Sequence, residues 1–510
     1  MSKVDNRTIA KNTMYMYLRM LVTMVVALFT TRIVYNALGI DNYGIYNIVG
    51  SVIVFMTFIN SGLTTATRRY ITAELAQGTE ESQQNVFNLS LLAHLLIILI
   101  VVVLGETVGL WVVNNLLNIP EDRMLAANIV YQLSIFGAVI NMMQSPFTAA
   151  ITANERMGIY AYISIFDVLA RLAVAYCVLY SSSDKLIIYA ALLTLSITIT
   201  FLINVIYCYR SFSMCHLKKP QDRSLLKEIF GYMGWNLGAQ LVLVFSNQGV
   251  SVLVNMFFTV AANAAMGISN QITNVVNNFV TNFQVAFNPQ ITKQYVSKDY
   301  EELNKLALRS SRYSSYLVLI FFVPICCQIS NFLTIWLGDY PKYAVEFCIL
   351  TLVGIFFDAI AAPLWMIMCS DKDVKKYQIV MSSLYAFNFI GAWIFLSLGW
   401  PPYGVIFARI IVSFCAIIAR LKLIKERVPS FPSRVWIKES LIQSLIIMAI
   451  PFVFYLGINK IIIDSVIIEL LVKGALVFIL TCTTIFFVGF TKGEKDIVNK
   501  KTYALLHKKH

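Results

Sequence analysis

Seven side-chain amides crowd one uncharged stretch, "ISNQITNVVNNFVTNFQ" (268–284): Asn270, Gln271, Asn274, Asn277, Asn278, Asn282 and Gln284. The stretch lies between apolar runs and is long enough to cross a bilayer. An amide left unpaired in hydrocarbon costs about 4–8 kcal/mol by transfer to an alkane. On a helix, Asn263, Gly267, Asn270, Asn274, Asn277 and Thr281 follow at spacings of three or four and form one stripe. Ile272, Val276, Phe279 and Phe283 fall largely on the other side. The preceding apolar run repeats the pattern with Asn236, Gln240, Asn247, Ser251 and Asn255. Interhelical hydrogen bonds in a membrane contribute about 0.6 kcal/mol each, and such pairing rarely needs so many amides per helix. The stripes are therefore expected to face a hydrated cavity.

Charges inside apolar runs are the second chemical signal. Arg19 sits in "MYLRMLVTM", where a guanidinium costs at least about 2.5–3.5 kcal/mol unless it faces water, an anion or the interface. A cavity-facing role is the expectation, with snorkelling to the near interface as the bland alternative. Asp358 is a lone mid-span carboxylate, either a proton or cation site or the partner of a buried arginine. Asp167 and Arg171 are four apart on one helix face and can neutralise each other, as can Glu469 and Lys473. Arg409 is a further cavity candidate, and His94 reads as a packed or hydrogen-bonded histidine.

The elements that must carry these groups are membrane helices. The chain has 510 residues, 58% hydrophobic and only 13% charged, against about 25% charged in soluble proteins. Mean hydropathy is +0.71. Apolar runs of about 20 residues recur throughout, each able to span a core of about 30 Å. The alternation of a membrane barrel is absent from them. Fourteen spans are expected, near 12–35, 43–65, 86–105, 124–152, 157–180, 186–209, 229–256, 261–286, 312–337, 343–369, 377–399, 403–424, 440–459 and 465–490. The polar start "MSKVDNRTIAK" and the lack of a small-residue cleavage site make the first an uncleaved helix.

With the N-terminus in the cytoplasm, only Arg32, Arg123, Lys185, Lys342 and Lys460 fall on the far side. Arg19, Arg171, Arg409 and Lys473 lie inside spans, and the rest of the 40 Lys and Arg are cytoplasmic. That is a strong positive-inside pattern, with both termini cytoplasmic. The net charge of +13 is thus a topology signal, spread too widely for a nucleic-acid module. The nine cysteines show no CxxC or metal spacing, and no nucleotide-binding loop is present. No cofactor, metal or nucleic-acid partner is expected.

The chain repeats itself. A shift of 221 lays "GLTTATRRYITAELAQGTEESQQNVFNLS" (62–90) on "FQVAFNPQITKQYVSKDYEELNKLALRSS" (283–311), and sets Arg19 on Gln240. With a four-residue gap, "FGAVINMMQSPFTAAITANERMGIYAY" meets "VGIFFDAIAAPLWMIMCSDKDVKKYQI", pairing Gly137 with Gly354, Asn141 with Asp358, Pro146 with Pro363 and Tyr160 with Tyr377. The expected organisation is an N-lobe of spans 1–6 (1–209), a cytoplasmic linker (210–228), a C-lobe of spans 7–12 (229–424), and spans 13–14 with a basic tail (425–510). Two such lobes are related by a pseudo-twofold axis along the membrane normal, with a substrate site expected between them near mid-depth.

This order of features resembles a known family. "ALGIDNYGIYNIVG", "SGLTTATRRYITAELAQG" and "SPFTAAITANERMGIYAYISI", with the six-plus-six-plus-two layout, look like the polysaccharide-transporter (Wzx-type) flippases. These belong to the multidrug/oligosaccharidyl-lipid/polysaccharide exporter superfamily. The resemblance implies an all-α, V-shaped, two-lobe fold like that of the multidrug (MATE) exporters, working by alternating access. The implied cargo is an undecaprenyl-diphosphate-linked oligosaccharide, a repeat unit of O-antigen, capsule or exopolysaccharide, moved to the outer leaflet of the bacterial inner membrane. Arg19 best fits the diphosphate-binding role, with Arg409 and Arg171 behind it. Arg68 and Arg69 could capture the headgroup at the cytoplasmic mouth, although ordinary positive-inside charge is the better explanation of them. Asn236, Gln240, Asn247, Asn270, Asn274 and Asn277 suit sugar hydroxyls. Membrane lipids and glycan polymerase or assembly proteins are the implied partners of a monomeric transporter. The rival readings are a cation-coupled multidrug or metabolite antiporter and a membrane polymerase or ligase. The first wants acidic cavity residues. The second wants a large outer loop, and "GETVGLWVVNNLLNIPEDR" is short.

Overall fold

The structure, a computed structural model, describes residues 6–218, 230, 242, 244–284, 287–371, 375–461 and 463–496. All regular structure among these residues is helical. The chain separates into two compact units, Met1–Gly267 with Phe389–Val405, and Ile268–Asn388 with Ile406–His510.

The first unit holds α1 (Asn6–Thr57), α2 (Ile59–Gln77), α3 (Glu80–Leu104), α4 (Met124–Ala153), α5 (Met157–Leu179) and α6 (Lys185–Ser211). Helix α1 is two helices joined at Gly39, whose φ of 78° breaks the helical run at low cost because glycine has no Cβ. Helix α3 continues through a π-helical turn, Gly105–Gly109, into Leu110–Asn115. Local chemistry fixes the helix starts. Thr79 caps α3 by accepting from the Ser82 N–H at 3.3 Å. Asp184 caps α6 through the Leu186 and Ile187 N–H groups at 3.0 and 3.3 Å. The same carboxylate takes a two-pronged ion pair from Arg123 at 2.7 and 3.1 Å, which ties the start of α6 to the start of α4. Helix α4 then packs along α6, and α1 along α5.

Segment 244–257 is helical and also belongs to this unit. Helix α7 (Val260–Gln284) is divided between the units at Gly267. Its first residues lie so close to α1 that the Val260 backbone occupies the place of a Gly44 side chain, and Asn47 that of a Gly267 side chain.

The second unit contains the rest of α7, α8 (Asn288–Val296), α9 (Tyr300–Cys327), α10 (Ile329–Leu337), α11 (Ala344–Cys369) and most of α12 (Lys375–Ser397) and α13 (Gly404–Arg427). Helices α14 (Ser433–Ile458) and α15 (Val466–Gly489) complete it. Prolines 146, 324, 363 and 451 lie inside α4, α9, α11 and α14.

Among the described residues, eleven helical stretches are long and apolar enough to cross a membrane. One of them, Leu18–Phe55, runs through the first two expected spans. The amide-rich α7 is not among the eleven, and its predecessor is described only in part.

One boundary differs from the sequence reading. The ninth span was expected to begin at 312, but α9 begins at Tyr300. At its middle, Ser311, Arg312 and Ser315 are buried because they have partners. Trp436 donates to Ser311 at 2.9 Å, Ser315 meets Ser444 at 2.7 Å, and Arg312 donates to the Gly489 carbonyl at 2.6 Å and to Glu494 at 2.9 Å. The polar letters around the expected start of the span are a helix–helix seam, while Glu301, Glu302, Lys305 and Arg309 on the turns before it are exposed.

Candidate functional site

The first unit contains an open-sided cavity of about 430 Å³, bounded by α4, α5 and α6 with the second half of α1 and the start of α2. Tyr46, Asn60, Ser134, Asn141, Arg171 and Thr194 supply its polar wall. A second chamber of about 240 Å³ adjoins it, since Asn141, Arg171 and Ile197 line both. Its polar wall comes from Gln144, Tyr160, Ser164, Asp167, Thr200 and Asn204.

Each helix contributes only one to four of these groups, at positions facing the middle of the bundle. Asp167 and Arg171 lie one turn apart on α5, and the Arg171 Nε donates to Asp167 Oδ2 at 3.0 Å. Asp167 Oδ1 also accepts from the Thr200 hydroxyl at 3.4 Å. The Arg171 side chain is 39% exposed although it sits mid-helix, because it opens into the space it lines. Its terminal nitrogens have no hydrogen-bond partner among the described residues. Asn141 donates to the Gly137 carbonyl at 3.1 Å, and its side-chain oxygen is unpaired among those residues. Asn60 donates to the Ser145 hydroxyl at 3.3 Å, and its own side-chain oxygen is buried without a partner. Unpaired acceptors walled in by apolar helices are costly unless a ligand or water meets them.

Arg19 reaches the same region from the first half of α1. Its guanidinium lies 4.8 Å from the centre of the Tyr160 ring, and its Nε is buried without a partner. A cation on a tyrosine face is stabilised by about 0.5–2 kcal/mol and keeps its charge.

The second unit carries a parallel set. Arg409 pairs with Asp358 at 3.2 Å, and the Ser413 hydroxyl donates to the same carboxylate at 3.2 Å. Of the two readings open for Asp358, this geometry is that of an arginine partner. Arg420, three turns along α13 from Arg409, is buried and donates to the hydroxyls of Tyr377 and Tyr385 at 3.2 and 3.3 Å. Tyr160 and Tyr377, paired by the internal repeat, therefore each hold an arginine that has no carboxylate partner among the described residues.

The remaining expected residues divide by environment. Asn270 and Asn274 are exposed and Asn277 is half-buried. Ser269 and Gln284 on the same helix are buried instead, and bond to Thr351 at 2.7 Å and to the Ala359 carbonyl at 3.3 Å. Asn247 is exposed on its helical segment, whereas Asn236 and Gln240 lie outside the described residues. Arg68 and Arg69 are exposed on α2.

At its start, the amide stripe is a dry seam. Asn255 donates to Asn263 at 3.0 Å, Asn263 donates to the Ser251 carbonyl at 2.9 Å, and Asn255 accepts from the Asn118 N–H at 2.6 Å. His94 is buried in α3, with Nδ1 2.8 Å from the Ser90 carbonyl. Lys473 pairs with Glu469 at 2.6 Å.

Sequence reasoning missed Asn60, Gln144 and Thr200 as cavity groups, and took Arg312 and Arg420 for cytoplasmic charges. The cavity groups are single polar letters spread over several helices, which no one-helix periodicity can collect.

Long apolar helices around a cavity with polar groups in its wall are the makings of a membrane transporter. The structure matches "Lipid II flippase MurJ, inward closed conformation" with a TM-score of 0.72, at 12% identity, over 94% of this chain and 99% of that one. It matches the inward-facing conformation of a multidrug resistance MATE family transporter with a TM-score of 0.65, at 12% identity, over 80% and 96%. A transporter of the same superfamily from Pyrococcus furiosus, described as having reverse polarity of its binding pocket, matches with a TM-score of 0.55, at 15% identity, over 82% and 96%. The fold is thus that of the flippases and MATE exporters. Residues 9–295 match the family described as "Polysaccharide biosynthesis protein", and the chain belongs to that family. Comparison with curated protein sequences finds no match.

Proposed function

We propose that this chain is a flippase. Its cargo is an undecaprenyl-diphosphate-linked oligosaccharide, moved from the inner to the outer leaflet of a bacterial cytoplasmic membrane by alternating access. The observation that carries the reading is the first-unit cavity, where a guanidinium, amide oxygens and tyrosines with bonding capacity unmet among the described residues line a shared space. Such a wall suits a polyhydroxylated headgroup. Arg19, stacked on Tyr160 and without a carboxylate partner, is the group for the diphosphate. Asn270, Asn274 and Asn277 offer further donors and acceptors to sugar hydroxyls, Asn247 belongs with them, and Arg68 and Arg69 give a cationic approach from the cytoplasm. The family and the lipid II flippase fold agree with this reading. On it, both termini are cytoplasmic, the chain works as a monomer among membrane lipids, and glycan polymerase or assembly proteins receive the cargo.

A cation-coupled antiporter is less well supported. Such a mechanism needs a carboxylate able to exchange its cation, yet Asp167 and Asp358 each carry an arginine at 3.0 and 3.2 Å. The test is reconstitution. Purified protein in vesicles should move an undecaprenyl-diphosphate-linked disaccharide between leaflets faster than protein-free vesicles do. Equal rates would sink the proposal.

A further inference from the structure

We propose that the first-unit cavity reads an uncharged sugar, and that Asp167 makes it reject a carboxylate- or phosphate-bearing one. This rests on the flippase reading above and adds to it the substrate class of the cavity. The argument begins with charge. Among the described residues, the walls of the two chambers contain one cation and one anion, Arg171 and Asp167, bonded to each other at 3.0 Å. The cavity as a whole is therefore neutral. Arg19 reaches the region only through its stack on Tyr160, so an anionic group belongs there and not in the chambers.

The unmet bonding capacity decides the rest. Asn60 Oδ1 is buried without a partner, Asn141 Oδ1 is unpaired among the described residues, and Asp167 is 24% exposed to the cavity. These are acceptors, and they call for O–H and N–H donors. A sugar hydroxyl or an N-acylated amine supplies such donors, and a carboxylate supplies none. The free Arg171 nitrogens are the complementary donors for a hydroxyl or acyl oxygen. A carboxylate set on them would lie within reach of Asp167, and two like charges held that close in a low-dielectric site repel strongly. Asp167 cannot easily turn away, because Thr200 and Arg171 both hold it. The larger chamber's volume of about 430 Å³ is that of a small-molecule pocket, for which about 300–1,000 Å³ is usual.

The repeat offers a natural control. Asn141 stands where the second unit has Asp358, and there the carboxylate has its own arginine, Arg409, to neutralise it. Asn141 has no second arginine to spare. Replacing it by Asp would leave the chambers with a surplus negative charge.

The test uses the full chain in vesicles with two labelled cargoes, undecaprenyl-diphosphate disaccharides ending in an N-acetylated neutral sugar or in a uronic acid. A nitrobenzoxadiazole tag on the sugar, bleached by membrane-impermeant dithionite, reports the leaflet. The wild-type chain should move the neutral cargo about tenfold faster than the acidic one. Asp167→Asn should bring the two rates close to equal, and Asn141→Asp should widen the gap. If Asp167→Asn does not fold, as judged by size-exclusion chromatography, Asn141→Asp carries the test alone. Equal wild-type rates for both cargoes, or a gap that Asn141→Asp leaves unchanged, overturn the selectivity while leaving the flippase reading intact. Failure of both cargoes to move above protein-free vesicles overturns the flippase reading and this inference with it.

Discussion

At the scale of single residues, the arginines fall into two kinds, and their partners separate them. Arg171 and Arg409 are neutralised by carboxylates, whereas Arg19 and Arg420 lean on tyrosines, with no carboxylate at ion-pair distance among the described residues. Arg19→Ala should therefore cut export in cells by about tenfold or more, since a hydrogen bond to a charged group contributes about 1.5–3 kcal/mol. Lipid-linked intermediates would accumulate at unchanged protein level, and normal surface glycan would refute the role. Arg312 predicts the opposite kind of effect. Its Glu494 partner lies just beyond α15, and burial alone would push that carboxyl up. The Tyr313 hydroxyl, the Thr491 N–H and hydroxyl and Arg312 outweigh burial and hold it at about 2, below the usual 4.5. A depressed value means that this latch stabilises the fold above pH about 4.5 and loses its effect as pH falls toward 2. Arg312→Met should lower stability by about 3 kcal/mol, because it strands a half-buried carboxylate. Thermal unfolding of the detergent-solubilised protein at pH 7 measures this, and an unchanged midpoint would count against the latch.

At the scale of elements, α7 joins two kinds of helix in one. Its first two turns are packing surface, with Asn263 bonded into a seam and Gly267 against Asn47. Its later turns bury Ser269, Thr273 and Gln284 and leave Asn270 and Asn274 exposed. Substitutions along one stripe should therefore split. Asn274→Leu with Asn277→Leu should impair transport more than stability, and Asn263→Leu should do the reverse. The latter loss should be about 1–2 kcal/mol, since Asn263 joins several hydrogen bonds of about 0.6 kcal/mol each. Parallel transport and melting measurements decide it, and equal transport defects with equal destabilisation would dissolve the distinction. Gly267→Val is a sharper probe, because its Cβ would stand 2.6 Å from the Asn47 side chain. Such a contact forces Asn47 to move, and alanine carries the same Cβ, so Gly267→Ala should already melt at lower temperature than the wild-type chain and Gly267→Val lower still.

At the scale of the whole molecule, the proposed cargo is anionic and the membrane carries a voltage. A diphosphate leaving a cell-negative interior gains about 2.3 kcal/mol per charge per 100 mV if it crosses the full field. The potential could then drive export without a counter-ion, in keeping with carboxylates that are already paired to arginines. Collapsing the potential in reconstituted vesicles at constant pH gradient should slow translocation severalfold. Rates indifferent to voltage would point to proton or sodium coupling.

Much of this was legible in the letters, because lipid imposes a one-dimensional rule. Any stretch that crosses hydrocarbon must be apolar and must satisfy its own backbone, so helices such as Ala344–Cys369 announce themselves by composition. The i, i+4 pairs Asp167–Arg171 and Glu469–Lys473 were equally plain, since helix geometry alone brings them together. Pairing between helices was beyond the sequence. It could not tell that Asp358 meets Arg409, that Ser311 to Ser315 lie in a seam under α14, or that half of the amide stripe is dry. Nor could it assemble Asn60, Asn141, Arg171 and Thr200 around one space. Periodicity records which face of a helix a residue occupies, and only packing in three dimensions decides what that face meets.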